Sequence, residues 1–211
     1  MDKRKFLRIL LIILVLIGGV SLGIILSGNT EKAGEEKAAV FSQPADEPGE
    51  CQVEVEERIV RGGSLDPLIK DGETVRVLFG YYNCHEIQRD DVVLYSYAGN
   101  EAPLIKIVRG VPGDSFKLEQ TEQGAPIRDE ISNGVNWHII INGKILKNSA
   151  GHPYLISGKR YEMLALYEKD YKGVIPEQAY LIMGNLISGA MDSTRYGLVH
   201  KNDILAKAEA I

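Results

Sequence analysis

The chain has 211 residues, enough for one medium domain with appendages. Its 24 Lys and Arg stand against 29 Asp and Glu, a net charge of −5, and this excludes the basic footprint expected of a nucleic-acid-binding protein. The four histidines (His85, His138, His152, His200) are scattered, and no Cys/His spacing resembles a metal site.

The first eight residues carry Lys3, Arg4, Lys5 and Arg8, and residues 9–27 are apolar or small without a charge. That run is close to the roughly twenty apolar residues that a helix needs to cross a bilayer. It exceeds the core of about 7–15 residues usual in a cleaved secretory leader, so we read a retained transmembrane helix. The basic residues before it predict a cytoplasmic N-terminus at 1–8 and an extracytoplasmic remainder. Residues 28–50, rich in Glu, Lys, Ala, Gly and Pro without a hydrophobic period, predict a flexible linker. A folded domain is then expected over 51–211. Cys51 and Cys84 lie 33 positions apart in a region where a disulfide is permitted, and both a disulfide and two independent thiols remain open.

Within 51–211 the signals are those of strands. Residues 53–56 alternate with period two, and 74–79, 91–97 and 104–111 are short β-branched or aromatic runs bounded by turn residues. Residues 137–146 enclose Asn142-Gly143, a hairpin signal because both positions tolerate positive φ. Residues 179–183 and 203–206 read as late strands. Residues 159–170 place Tyr161, Leu164, Ala165 and Glu168 at helical spacing, which predicts one short helix. Many short strands and few helices predict a mainly β, antiparallel sheet or barrel architecture.

Two contexts carry chemistry. Ser64 stands in Gly62-Gly63-Ser64-Leu65-Asp66-Pro67-Leu68-Ile69, beside glycines that admit close backbone approach. Neither a G-x-S-x-G elbow nor an S-x-x-K pattern is present there. Lys106 stands in the apolar run Leu104-Ile105-Lys106-Ile107-Val108. A hydroxyl needs a neighbouring base to become a nucleophile, and a lysine can be that base when burial lowers its pKa.

Together these segments resemble bacterial type I signal peptidases of the Ser/Lys kind. That family carries G-x-S-M-x-P-T-L, which residues 62–69 follow in order. Its R-G-D signature is similar to Arg89-Asp90-Asp91, with Asp90 in place of glycine. Its K-R-V-x-G-x-P-G-D signature is matched by Lys106 to Asp114 except at Ile107, and its N-G-K turn by Asn142-Gly143-Lys144. The signature G-D-N-R-x-x-S-x-D-S-R-x-x-G is matched least well. Gly184, Asp192, Ser193 and Gly197 are in register, whereas Asn185 replaces the aspartate, Ala190 the first serine and Thr194 the second arginine.

The resemblance implies an antiparallel β catalytic domain of signal-peptidase type behind a transmembrane helix, located at the cell membrane. It implies a serine endopeptidase that removes signal peptides from exported precursor proteins, with Ser64 as nucleophile and Lys106 as base. The Ser64 backbone N–H would serve the oxyanion. Asp192 and Ser193 would support the site, Asp192 through an ion pair with Arg195 or another cation. Leu65, Ile105 and Ile107 are candidates for shallow pockets selecting small side chains. Partners are precursors and membrane lipid, with no nucleic acid, metal or organic cofactor. Two other readings differ in class: a catalytically weak or inactive accessory protein that binds secreted or pilus-type proteins, motivated by the eroded last signature, and a Ser/Lys self-cleaving regulator. The regulator would be cytoplasmic with a DNA-binding segment, which the apolar run and the acidic charge oppose.

Overall fold

The computed structural model describes residues 51–97, 102–121 and 135–211. The expected cytoplasmic end, transmembrane helix and linker lie outside the described residues. Among the described residues no helix is long and apolar enough to cross a membrane.

Seven strands form the larger sheet: β1 (Glu54–Ile59), β2 (Thr74–Phe79), β3 (Val92–Tyr95), β4 (Leu104–Gly110), β9 (Ala179–Met183), β10 (Val199–His200) and β11 (Ile204–Ala210). Their order is β1-β2-β11-β3-β4-β9-β10, and every neighbouring pair is antiparallel. A smaller antiparallel sheet comprises β5 (Phe116–Gln120), β6 (Trp137–Ile141), β7 (Lys144–Ile145) and β8 (Leu155–Ile156), with β6 pairing to all three others. The expected antiparallel, mainly β architecture is therefore observed.

The central strands are covered on both faces, which is why they read as continuous apolar runs rather than as alternating ones. In β4, Ile107 packs with Val75, Val77 and Leu94, whereas Val108 packs with Tyr95, Tyr180 and Ile182. In β9, Leu181 and Met183 join a third cluster with Phe116, Ile139, Tyr154 and Ile156 of the smaller-sheet region. Strand β2 is one-sided, burying Val75 and Val77 while Arg76 remains exposed.

Helix α1 (Gly158–Asp170) coincides with the expected helix. Leu164 is buried, Tyr161 and Ala165 pack beside it, and the Glu168 carboxylate accepts from the Leu118 N–H of β5. The hairpin at Asn142-Gly143 is also present, with φ of 51° and 72°. Among the described residues, strands β5, β8 and β10 and the short helix α2 (Ser193–Tyr196) were not anticipated. Strand β11 runs to Ala210, four residues beyond the expected end, because it is held between β2 and β3. Cys51 and Cys84 are joined by a disulfide, one of the two possibilities left open by their spacing.

Several signature residues turn out to be scaffold. Asp90 has φ of 69°, which accounts for glycine at this place in the R-G-D signature, and its carboxylate pairs with Arg109. Arg89 pairs with Asp114, which also accepts from the Val111 N–H and from Asn142 Nδ2. The turn after β4 is thereby tied to the hairpin of the smaller sheet.

Candidate active site

Ser64 follows β1 in a tight turn. Asp66 N–H donates to Gly63 O, Leu68 N–H donates to Leu65 O, and Gly62 N–H is held by Asp71 Oδ1. Gly62 has φ of 87°, which an L side chain rarely adopts. No atom lies within 4 Å of the Cβ position at Gly62 or Gly63, so the backbone beside Ser64 stays open to an incoming chain. The Ser64 side is half-buried and borders a cavity of about 470 Å³.

Lys106 enters from β4. It is only 2% exposed, and its Nζ lies 3.1 Å from Ser64 Oγ and 2.7 Å from Ile105 O. Burial pulls its pKa from 10.5 down to about 8, while the negative charge of Asp192 partly opposes the fall. A neutral amine within hydrogen-bond reach of a hydroxyl can take the hydroxyl proton.

Asp192 caps α2 and is fully buried. Its Oδ2 accepts from the N–H groups of Gly184 and Ala190, and its Oδ1 accepts from Thr194 N–H and Thr194 Oγ1. Ser193 is equally buried, and its Oγ accepts from Ile182 N–H of β9. Both residues staple the segment after β9 into place. The cation facing Asp192 is Arg160 of α1, at 3.9 Å, whereas Arg195 is exposed. Of the two alternatives, Arg195 or another cation, the structure places the second: α2 turns Arg195 outward while α1 brings Arg160 in.

The three pocket candidates divide. Ile105 lines the cavity together with Ile59, Val75, Val77 and Met191. Leu65 and Ile107 are not among its lining residues. They are 0% and 1% exposed in the core cluster with Val60, Ile69 and Ala206, so their assignment as pocket residues is corrected. The Ser64 turn points Leu65 inward.

Two adjacent residues of the least well matched signature, Gly184 and Asn185, hold the nucleophile. Asn185 N–H donates to Ser64 O at 2.6 Å, and its side-chain amide donates to Asp66 O and Ser149 Oγ. At Gly184 a Cβ would lie 2.8 Å from Ser64 O, so the close approach of the two segments requires glycine. Tyr154 Oη donates to Gly184 O from the smaller-sheet side. The in-register Gly184 was the available signal for these roles, whereas Asn185 stood as a departure from the signature. Nothing in the sequence pattern marked Arg160.

A larger groove of about 870 Å³ lies between β5 and α1, bordered by Lys117, Glu119, Tyr161, Glu168 and Lys169. Ser115 also lines it, and its Oγ donates to Asn142 Oδ1. The described residues contain no cluster of side chains suited to a metal.

A half-buried hydroxyl, an amine beside it and an adjoining apolar cleft on an antiparallel sheet suit a peptide-bond hydrolase. Comparison with known proteins agrees. The family model described as signal peptidase, peptidase S26, matches residues 51–211. Signal peptidase IB of Staphylococcus aureus (strain COL) is 28% identical over 149 residues, which are 70% of this chain and 72% of that protein. Signal peptidase I of Bacillus licheniformis is 27% identical over 158 residues, covering 72% and 74%. Among solved structures, a signal peptidase I from Enterococcus faecalis V583 matches with a TM-score of 0.36 and 18% identity, over 58% of this chain and 97% of that one. The chain belongs to the signal peptidase family, peptidase S26.

Proposed function

We propose that this protein is a membrane-anchored serine endopeptidase that removes signal peptides from exported precursors, with Ser64 and Lys106 as its catalytic pair. The observation that carries this reading is the 3.1 Å approach of the buried Lys106 amine to Ser64 Oγ, with the amine pKa brought down to about 8. Neutral Lys106 takes the Ser64 proton as Oγ attacks the carbonyl carbon of the scissile bond. The resulting oxyanion is met by the Ser64 N–H, a type of contact worth about 2.7–4 kcal/mol to a transition state. The protonated amine then returns its proton to the leaving nitrogen, the peptide bond breaks, and an ester to Ser64 remains. Lys106, neutral again, takes a proton from water as the water oxygen attacks the ester carbon; the ester bond to Oγ then breaks, Lys106 returns the proton to Ser64 Oγ, and the new carboxyl terminus leaves.

Among the described residues strand β1 ends the larger sheet, and its outer edge offers backbone groups to an extended precursor segment running toward Ser64. Side chains one and three residues before the cut would point the same way, into the cleft bordered by Ile105. Small residues, alanine above all, are the expected choice there. Asp192 and Ser193 act by holding the segment that anchors Ser64.

The anchor is residues 9–27, with 1–8 cytoplasmic, 28–50 as linker and 51–211 as the extracytoplasmic peptidase domain. The Cys51–Cys84 disulfide supports an oxidising compartment for that domain. Precursors and membrane lipid are the partners. The inactive accessory reading has no support in the site, because the serine and the lysine stand at reacting distance despite Ala190.

The test is incubation of the detergent-solubilised protein and its Ser64→Ala variant with a secretory precursor, followed by sequencing of the new N-terminus. Cleavage after an alanine, lost in Ser64→Ala, is expected. Equal cleavage by the variant would overturn the assignment.

A further inference from the structure

We propose that Arg160 is the positioning residue that, through Asp192, holds the segment 184–194 against Ser64 and tempers the field acting on the Lys106 amine. This rests on the Ser64/Lys106 reading above. Arg160 stands in the first turn of α1, remote in sequence from both catalytic side chains. Its Nη1 donates to Ala190 O at 3.0 Å and to Thr194 Oγ1, and lies 3.9 Å from Asp192 Oδ1. The side chain is 12% exposed.

The segment is shaped to receive it. Gly189 has φ of 78°, and a Cβ there would come within 2.7 Å of Arg160 Nη1. Thr194 Oγ1 accepts from the guanidinium and donates its own O–H to Asp192 Oδ1, so the two are bridged as well as adjacent. Asp192 in turn fixes Gly184 and Ala190, and the next residue, Asn185, donates its N–H to Ser64 O. The connection from Arg160 to the nucleophile is continuous.

The electrostatic side follows from the groups around Asp192. These are Arg160 from α1, Lys106 from β4, Tyr154 ahead of β8, and Tyr196 from α2. Arg160 alone of these carries a permanent positive charge. Asp192 draws the Lys106 pKa upward against the effect of burial. A guanidinium 3.9 Å from the same carboxylate opposes that pull, because a positive charge disfavours protonation of a nearby amine. Without Arg160 the amine would hold its proton to higher pH. In the signature of the family an arginine stands where this chain has Thr194, so the charge is supplied here from a different element.

The experiment measures kcat and KM for precursor cleavage from pH 6 to pH 10 with the full-length, detergent-solubilised protein. Wild type is compared with Arg160→Met, Arg160→Lys and Arg160→Met combined with Thr194→Arg, with Ser64→Ala as the blank. Arg160→Met is expected to lower kcat by roughly ten- to a hundredfold, with KM changed by less than about twofold, and to move the rising limb to higher pH. Arg160→Lys keeps the charge but not the fork, so its limb stays near the wild-type position while kcat falls. Adding Thr194→Arg to Arg160→Met should recover both kcat and the limb. Wild-type kcat and limb in Arg160→Met would overturn the proposal. So would a loss uniform in pH that Thr194→Arg fails to recover. Should Arg160→Met not fold, undiminished kcat in Arg160→Lys would overturn the positioning role. If Ser64→Ala still cleaves, the underlying assignment fails and the proposal with it.

Discussion

Burial of Lys106 has a stability consequence that can be measured apart from activity. Its pKa is about 8 in the folded protein and 10.5 as an ordinary lysine. At about 1.36 kcal/mol per pH unit, this difference makes the folded protein ~3 kcal/mol less stable when the amine is charged. Below pH 8 both folded and unfolded chains carry the proton, so the whole penalty is present. Between pH 8 and 10.5 the unfolded chain binds more protons than the folded one, and stability rises with pH. Above 10.5 both are neutral and the penalty is gone.

Lys106→Met removes the charge at every pH. It also removes the hydrogen bonds to Ser64 Oγ and Ile105 O, roughly 1 kcal/mol each, but that loss persists whether or not the amine is charged. The stability of Lys106→Met relative to wild type should therefore be more favourable at pH 7 than at pH 10.5, by ~3 kcal/mol. Urea unfolding followed by the fluorescence of Trp137, the single tryptophan, provides the assay. A mutant-to-wild-type difference that does not vary between the two pH values would refute the reasoning, because a desolvated lysine cannot escape the linkage.

The same pKa predicts that kcat/KM rises tenfold per pH unit below about 8 and then levels, and a rate still climbing at pH 10 would show an unperturbed amine. Gly184→Ala should lower kcat by about tenfold or more, since its Cβ would sit 2.8 Å from Ser64 O; steady-state kinetics on folded variant protein, checked by circular dichroism, is the measurement. Asn185→Asp should destabilise the protein by about 2–3 kcal/mol in urea unfolding, because a buried carboxylate cannot donate to Asp66 O or Ser149 Oγ.

Local pattern was sufficient for elements whose own residues choose their conformation. Asn142-Gly143 turns the β6–β7 hairpin because both positions accept positive φ, and Tyr161, Leu164 and Ala165 place one apolar face on α1. The pair Ser64 and Lys106 was visible in two short motifs, but their 3.1 Å separation belongs to the fold: β4 carries Lys106 across the sheet to a turn 42 positions earlier. Strand β11 shows the limit of local reading. Its alanines, lysine and glutamate have weak strand preference, and the segment is extended because β2 and β3 bind it on both sides. The side of the sheet that receives Leu65 and Ile107, the pairing of Cys51 with Cys84, and the choice of Arg160 over Arg195 beside Asp192 were likewise settled only in three dimensions. Residue type and spacing report what a short segment prefers; which distant side chain fills the space beside a buried charge depends on how separate elements pack.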